Sequence, residues 1–262
     1  MTLRGLWTRD MIGWAMVAAL LPPAAVTVVE QGVDGVLRIG TVLAVASLWQ
    51  LLFRRRRGVP WSPSGAVLAV SMAVLAPAGL SPVQLALGAS FGIVLADLIF
   101  GGWGRNVVGA APVALAMVFL TWPGGAGPGA ETSMVLAALA SALVLLGLGI
   151  VPVLVLIGGI AGAFGTMALM GAPFDSALVA GGGSFGLVLL LADPVTAPTT
   201  SPARLAYGLL GGALVALLAG GGGLAGAERA TVFAVLLAQI FAPTIDYAAL
   251  AIKRHARGRR HA

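Results

Sequence analysis

Apolar residues run along this chain in ten stretches, separated by short polar, glycine-rich or proline-rich segments. They cover about Met11–Val29, Val36–Phe53, Gly65–Leu80, Val83–Phe100, Val107–Trp122, Ser133–Gly149, Val151–Gly171, Ser176–Ala192, Leu205–Ala219 and Ala230–Ile252. Runs of this length and evenness are membrane helices; a β-barrel would show shorter, alternating segments. The pattern predicts an all-α integral membrane protein of about ten spans. Met1–Asp10, with Arg4 and Arg9 ahead of the first run, resembles the start of a signal peptide, but no small-x-small cleavage site follows. A retained first helix is expected.

One interruption differs from the rest. In Ala192-Asp193-Pro194-Val195-Thr196-Ala197-Pro198-Thr199-Thr200-Ser201-Pro202, each proline removes an N–H donor and pushes its predecessor towards extended backbone. The strip carries one carboxylate and four hydroxyls. At membrane depth, such backbone is tolerated only where protein buries it or a water-filled cavity meets it. A second polar loop, Gly101-Gly102-Trp103-Gly104-Arg105-Asn106, follows the fourth run.

Composition removes the soluble alternative, because 59% hydrophobic against 9% charged residues and a mean hydropathy of +1.02 leave too much apolar surface for one water-soluble fold to hide. The 38 glycines suit membrane helices, where small residues let backbones approach. A net charge of +6 would point to nucleic acid only if its location were ignored. With the N-terminus inside, all of the 15 basic residues except Arg38 and Arg229 fall at cytoplasmic ends, including Arg54–Arg57, Arg105, Arg204 and the tail from Lys253. Glu30, Asp34, Glu131, Asp175 and Glu228 fall at the opposite ends. By the positive-inside rule, both termini are cytoplasmic, the arginine run is topogenic, and nucleic acid is not a partner.

Gly65–Leu80 and Leu205–Ala219 are short for a bilayer. Short or interrupted spans at matching places point to an internal repeat with a site between its halves. Five spans per half would make that repeat inverted, with halves at about 11–122 and 133–252 of a single transmembrane domain and a basic tail over 253–262.

Several chemistries are excluded. The chain has no cysteine, and its two histidines, His255 and His261, lie in the tail, so iron–sulfur, zinc and b-type haem sites cannot be assembled from it. Gly182-Gly183-Ser184-Phe185-Gly186 matches G-x-S-x-G, yet a nucleophile elbow needs a strand-to-helix turn and a histidine base; close helix packing is the expected role. Asp97, the acid deepest inside a predicted span, is read as solvated at the cytoplasmic interface, with ion handling as the alternative. Asp246, after Pro243, is expected to satisfy donors freed around that proline.

The first strip carries a resemblance. Asp193-Pro194-Val195-Thr196-Ala197-Pro198-Thr199-Thr200 resembles the DPVSAPTT stretch of the RnfD family, a membrane component of the Rnf electron-transport complex with relatives in the sodium-pumping NADH:quinone oxidoreductase. Ile99–Asn106 is similar to that family's FGGxGRN loop, Ala130-Glu131-Thr132-Ser133 to its GETS block, and Phe233–Leu237 with Phe241–Asp246 to its last helix, all in the family's order. The resemblance implies two inverted five-helix repeats similar to urea transporters, and two flavin sites. The covalent FMN site needs an SGAT motif between the fifth span and the GETS block; here only Gly124–Ala130 occupies that place and no SGAT occurs in the chain. Thr132 belongs to the GETS match, which gives no ground for assigning it as a substitute anchor. The non-covalent site lies by a GRN-x-x-NPA loop, which Asn106 matches while Gly109 and Ala110 replace the second asparagine and the proline.

What the resemblance implies is therefore a shortened electron-transfer subunit of the bacterial inner membrane, working with partner subunits, one of them carrying FMN. It would hold at most one non-covalent FMN or riboflavin, with coupled ion transport open. The residues expected at its site are Trp103, Arg105, Asn106, Asp193, Thr196, Thr199 and Thr200. The alternative is a small-solute channel or transporter of the same fold without redox chemistry.

Overall fold

The computed structural model describes residues 8–123, 132–171, 182–220 and 226–258. Arg4, the Gly124–Ala130 segment, Glu131, Asp175, Ser176 and the tail residues Arg259, Arg260 and His261 lie outside them. The described residues form helices α1 (Arg9–Ala19), α2 (Leu21–Gln31), α3 (Val33–Arg57), α4 (Ser64–Leu75), α5 (Pro82–Gly92), α6 (Ala110–Thr121), α7 (Thr132–Gly147), α8 (Val153–Leu169), α9 (Gly182–Phe185), α10 (Ser201–Gly220) and α11 (Ala227–Gly258). Two π-helical segments, Ile93–Leu98 and Gly186–Leu191, continue α5 and α9. No strand occurs among the described residues. Four helical stretches, Arg9–Gln31, Val33–Arg57, Ser201–Gly220 and Ala227–His255, are long and apolar enough to cross a membrane, and five shorter apolar helices accompany them. Leu48, Leu120, Leu143 and Leu169 stand exposed on the flanks, as lipid-facing side chains do. The chain is an all-helical membrane protein.

The first apolar run is not one straight helix. Pro22 and Pro23 open α2, so the Ala19 carbonyl has no N–H four residues on. Ser141 of α7 supplies the missing donor, its Oγ lying 2.6 Å from that carbonyl, and the chain turns at Leu20. At the other end, α11 passes through Pro243 unbroken and extends past Ile252 to Gly258. The expected shortness of the ninth run is corrected. Ser201–Arg204 are its first turn, where proline is tolerated because the N–H would be free anyway, and α10 has 20 residues.

α4 is short. Its 12 residues rise only ~18 Å, and nearly all are buried. Its end is met by Arg38 of α3, which donates from Nη2 to the carbonyls of Ala76 at 2.7 Å and Pro77 at 2.9 Å. A buried charge inside a membrane helix is retained where it satisfies such orphan carbonyls.

The closest helix pair is α8 with α10. A Cβ on Gly158 would lie 2.6 Å from the Leu205 carbonyl oxygen, and one on Gly212 would land on the Gly159 carbonyl oxygen. Gly158 and Gly162 on one helix and Gly208 and Gly212 on the other are each four apart, the small-xxx-small spacing that lets backbones touch without lateral hydrophobic drive. Gly186 packs in the same way against Thr231 of α11, so the G-x-S-x-G match lies in a helical stretch with no strand leading into it.

Candidate functional site

The Gly101–Asn106 loop is folded by its glycines. Gly101, Gly102 and Gly104 all have φ between 94° and 96°, a region that penalises any Cβ. Asn106 then ties the loop to itself: its Oδ1 accepts the Gly104 N–H at 3.1 Å and its Nδ2 donates to the Val108 carbonyl at 3.0 Å. Arg9 of α1 lies across Gly102 and Gly104, while Arg105 stays exposed and folds back over Gly101. Trp103 is buried beneath, against Gly13.

Under this loop is a cavity of about 30 Å³, lined among others by Ser64, Ser71, Asp97, Trp103, Asn106, Gly109, Asp193 and Gln239. Elements far apart in sequence meet there: the starts of α4 and α6, the C-terminal turn of the first π segment, the second π segment with its Asp193 strip, and the middle of α11. π-helical turns recur at functional sites because they re-aim side chains.

Asp97 is the centre of the site, and here the interface-solvated reading is corrected. Its side chain is 1% exposed, covered by the glycine loop. Ser64 Oγ donates to its Oδ2 at 2.5 Å; Gln50 Nε2 donates to Ser64 Oγ at 3.2 Å, and Ser62 shares a hydrogen bond with Ser64 at 2.7 Å. The other oxygen, Oδ1, has no hydrogen-bond partner among the described residues. Gln239, fully buried, clasps the two sides together, its Oε1 accepting the Gly109 N–H at 2.8 Å and its Nε2 donating to the Leu190 carbonyl at 3.0 Å. A Cβ at Gly109 would crowd the Pro112 ring at 3.1 Å while only touching the Gln239 amide, at 3.5 Å.

The predicted residues therefore divide. Trp103, Asn106 and Asp193 line one cavity; Arg105 does not reach it. Asp193 Oδ1 accepts the Val195 N–H at 3.0 Å, and burial, reinforced by Asp97, pushes its carboxyl up to about 6 against that hydrogen bond. Thr196 is buried within the strip. Thr199 and Thr200 turn to Asp246, whose carboxylate accepts both their N–H groups and both hydroxyls. The expected role of Asp246 beside Pro243 is thus corrected, since its acceptors are used on another segment. Sequence reasoning missed Ser64, Ser71 and Gln239. Their only signal was a polar residue inside an apolar run, which in a membrane helix marks the bundle interior.

A flavin implied by the resemblance does not fit this arrangement. A cavity of about 30 Å³ holds about two water-sized groups, far less than a three-ring isoalloxazine, and the Asn106 amide is already engaged on its own loop.

Comparison with known proteins gives these features a context. The chain is similar to the B subunit of the Na(+)-translocating NADH-quinone reductase of Chromohalobacter salexigens, 29% identical over 259 residues, covering 78% of this chain and 62% of that protein. It is also similar to the same component of the enzyme from Klebsiella pneumoniae, 28% identical over 266 residues, and from Pseudomonas aeruginosa, 28% over 262; each match covers 79% of this chain and 64% of the relative. The aligned chain thus spans less than two thirds of these relatives' length. The family model described as NQR2, RnfD, RnfE matches residues 7–128 and 124–253, nearly the whole chain, and the chain belongs to that family.

Proposed function

We propose that this chain is a membrane subunit of a multi-subunit electron-transport complex whose redox chemistry is coupled to ion movement across a bacterial inner membrane. The observation that carries the reading is the family match over both halves of the chain, together with the meeting of the Gly101–Asn106 loop and the Asp193 strip at one polar cavity. The chain's own residues supply a buried carboxylate, an amide clasp and two helix N-termini inside a bundle of apolar helices. The electron carriers come from partner subunits, one of them carrying FMN. A non-covalent flavin does not fit the cavity beneath the Trp103–Asn106 loop. The cavity beneath the glycine loop does not favour the solute-channel alternative, because it admits only water-sized groups.

Affinity purification of the chain from its native membrane tests this. Co-purification of flavin-bearing subunits and flavin colour that reductant bleaches are expected, with the chain alone colourless once its partners are stripped. Isolation without any redox partner, coupled with solute flux in proteoliposomes, would overturn the reading.

The ten-span layout of five plus five inverted helices, with both termini inside, belongs to the same proposal. Because the chain has no native cysteine, single substitutions report sidedness directly. Arg55→Cys should react with an impermeant maleimide only from the cytoplasmic face and Arg229→Cys only from the opposite face; reaction of both from one side would sink the layout.

A further inference from the structure

A second, larger cavity lies at the end of the bundle where α7 stops and α8 and α10 begin. Its volume of about 630 Å³ suits a bulky organic group and not a lone ion. Its lining is sorted by chemistry. Leu146, Ile150 and Val151, from the end of α7 and the turn after it, are apolar, and Ile12 of α1 joins them. The polar groups come from the first turns of two helices: Ser201 and Arg204 of α10, and the backbone of Val153 and Leu154 at the start of α8. No side chain caps the start of α8, and neither helix has an acid in its first turn. Two positive dipole ends are thus left uncompensated there. Arg204 is the only charged side chain among the described residues that line the cavity. Its Nε donates to the Pro198 carbonyl at 2.9 Å, which anchors the guanidinium to the proline-rich strip. The apolar lining also continues out of the cavity along two helices. On α8, Val153 is exposed, and so are Ile157 and Ile160, four and seven residues on and therefore on the same face. On α7, Leu146 is followed back along the helix by exposed Leu143, Leu139 and Leu136.

We propose that this cavity seats the head of an anionic phospholipid, its phosphodiester held by Arg204 and Ser201 and its two acyl chains laid along the exposed rows of α7 and α8. The ligand class follows from the residues. Arginine and helix N-termini are the groups that bind phosphate oxygens, and basic pockets between membrane helices take acidic lipid heads. A zwitterionic lipid would bring an ammonium group, and no carboxylate lines the cavity to receive it. A free phosphate would use Arg204 and Ser201 but leave both apolar rows without a role. The site needs only that the chain lies in a membrane, and it stands independently of the electron-transport reading.

Native mass spectrometry of the purified full chain, delipidated in detergent and titrated with dioleoylphosphatidylglycerol, tests it. A saturable adduct is expected. Dioleoylphosphatidylcholine, with the same chains and no net charge, should bind at least tenfold more weakly, and glycerol phosphate, a head without chains, should not compete at equal concentration. Arg204→Gln should weaken the phosphatidylglycerol adduct at least tenfold, while Arg55→Gln, in the arginine run outside the cavity, should leave it unchanged. If Arg204→Gln does not fold, Ser201→Asp decides by the same measurement: an acid suits the first turn of α10, yet its charge three residues before Arg204 should weaken the adduct by a similar factor. Equal binding of the two lipids would mark ordinary annular lipid, full competition by glycerol phosphate would mark a free-anion site, and absence of any saturable adduct would leave the cavity to another occupant; each overturns the proposal. Full binding in Arg204→Gln or, where that variant does not fold, in Ser201→Asp overturns it as well. None of these results touches the co-purification test, so the two readings fail separately.

Discussion

The carboxylate of Asp246, near the end of the last helix, accepts both the N–H and the hydroxyl of Thr199, at 3.0 and 2.6 Å. Its second oxygen does the same for Thr200, at 3.1 and 2.7 Å. The proline-rich strip is therefore fastened at its far end by a helix 46 residues away in sequence. Its near end lines the cavity through Asp193.

This fastening predicts a stability effect without a change in composition. Hydrogen bonds to a charged acceptor contribute about 1.5–3 kcal/mol when well shielded, and partial exposure of Asp246 reduces that here. Asp246→Ala is expected to lower stability by about 1–3 kcal/mol, measured as a drop in Tm in detergent, with Thr199→Val producing a smaller drop. Equal Tm values for Asp246→Ala and the unaltered chain would show that the strip is held in some other way.

Gln239 should prove harder to replace than its exposed neighbours. Gln239→Leu has similar bulk but leaves the Gly109 N–H and the Leu190 carbonyl buried and unpaired, at a cost of about 1–3 kcal/mol per group. Ile240→Leu, one residue along and lipid-exposed, should change little. Comparable thermal stability of the two variants would contradict the clasp.

The α8–α10 contact separates two kinds of glycine. Gly212→Ala places a methyl on the Gly159 carbonyl and should cost at least about 1–3 kcal/mol, as overpacking does. Gly165→Ala, on α8 with open space around it, should stabilise by up to about 1 kcal/mol. Thermal melts of both variants check the sign; destabilisation by both would mean that helix propensity is outweighed everywhere in this pair.

Much of this was legible in the chain because it depends on local chemistry. Apolar runs fix helices through hydropathy, and prolines and glycines fix where helical backbone stops, so both polar loops were visible in the sequence. Less visible was which polar atoms inside those runs would be satisfied. Asp97 looked interfacial because its distance from the helix end was short, whereas the fold brings the glycine loop back over it and buries it. Asp246 looked like a remedy for Pro243, yet α11 continues through that proline and the carboxylate reaches across to the strip.

By itself, then, the sequence determined the class, the helical runs, the two non-helical loops and the exclusion of cysteine, haem and zinc chemistry, since composition and backbone preference suffice for these. Only the tertiary structure decided that Ser64, Ser71, Asp97, Asp193 and Gln239 share one small cavity. Hydrogen-bond satisfaction is a property of neighbours in space. Gly109 and Gln239, 130 residues apart, are joined by a bond that no local pattern encodes.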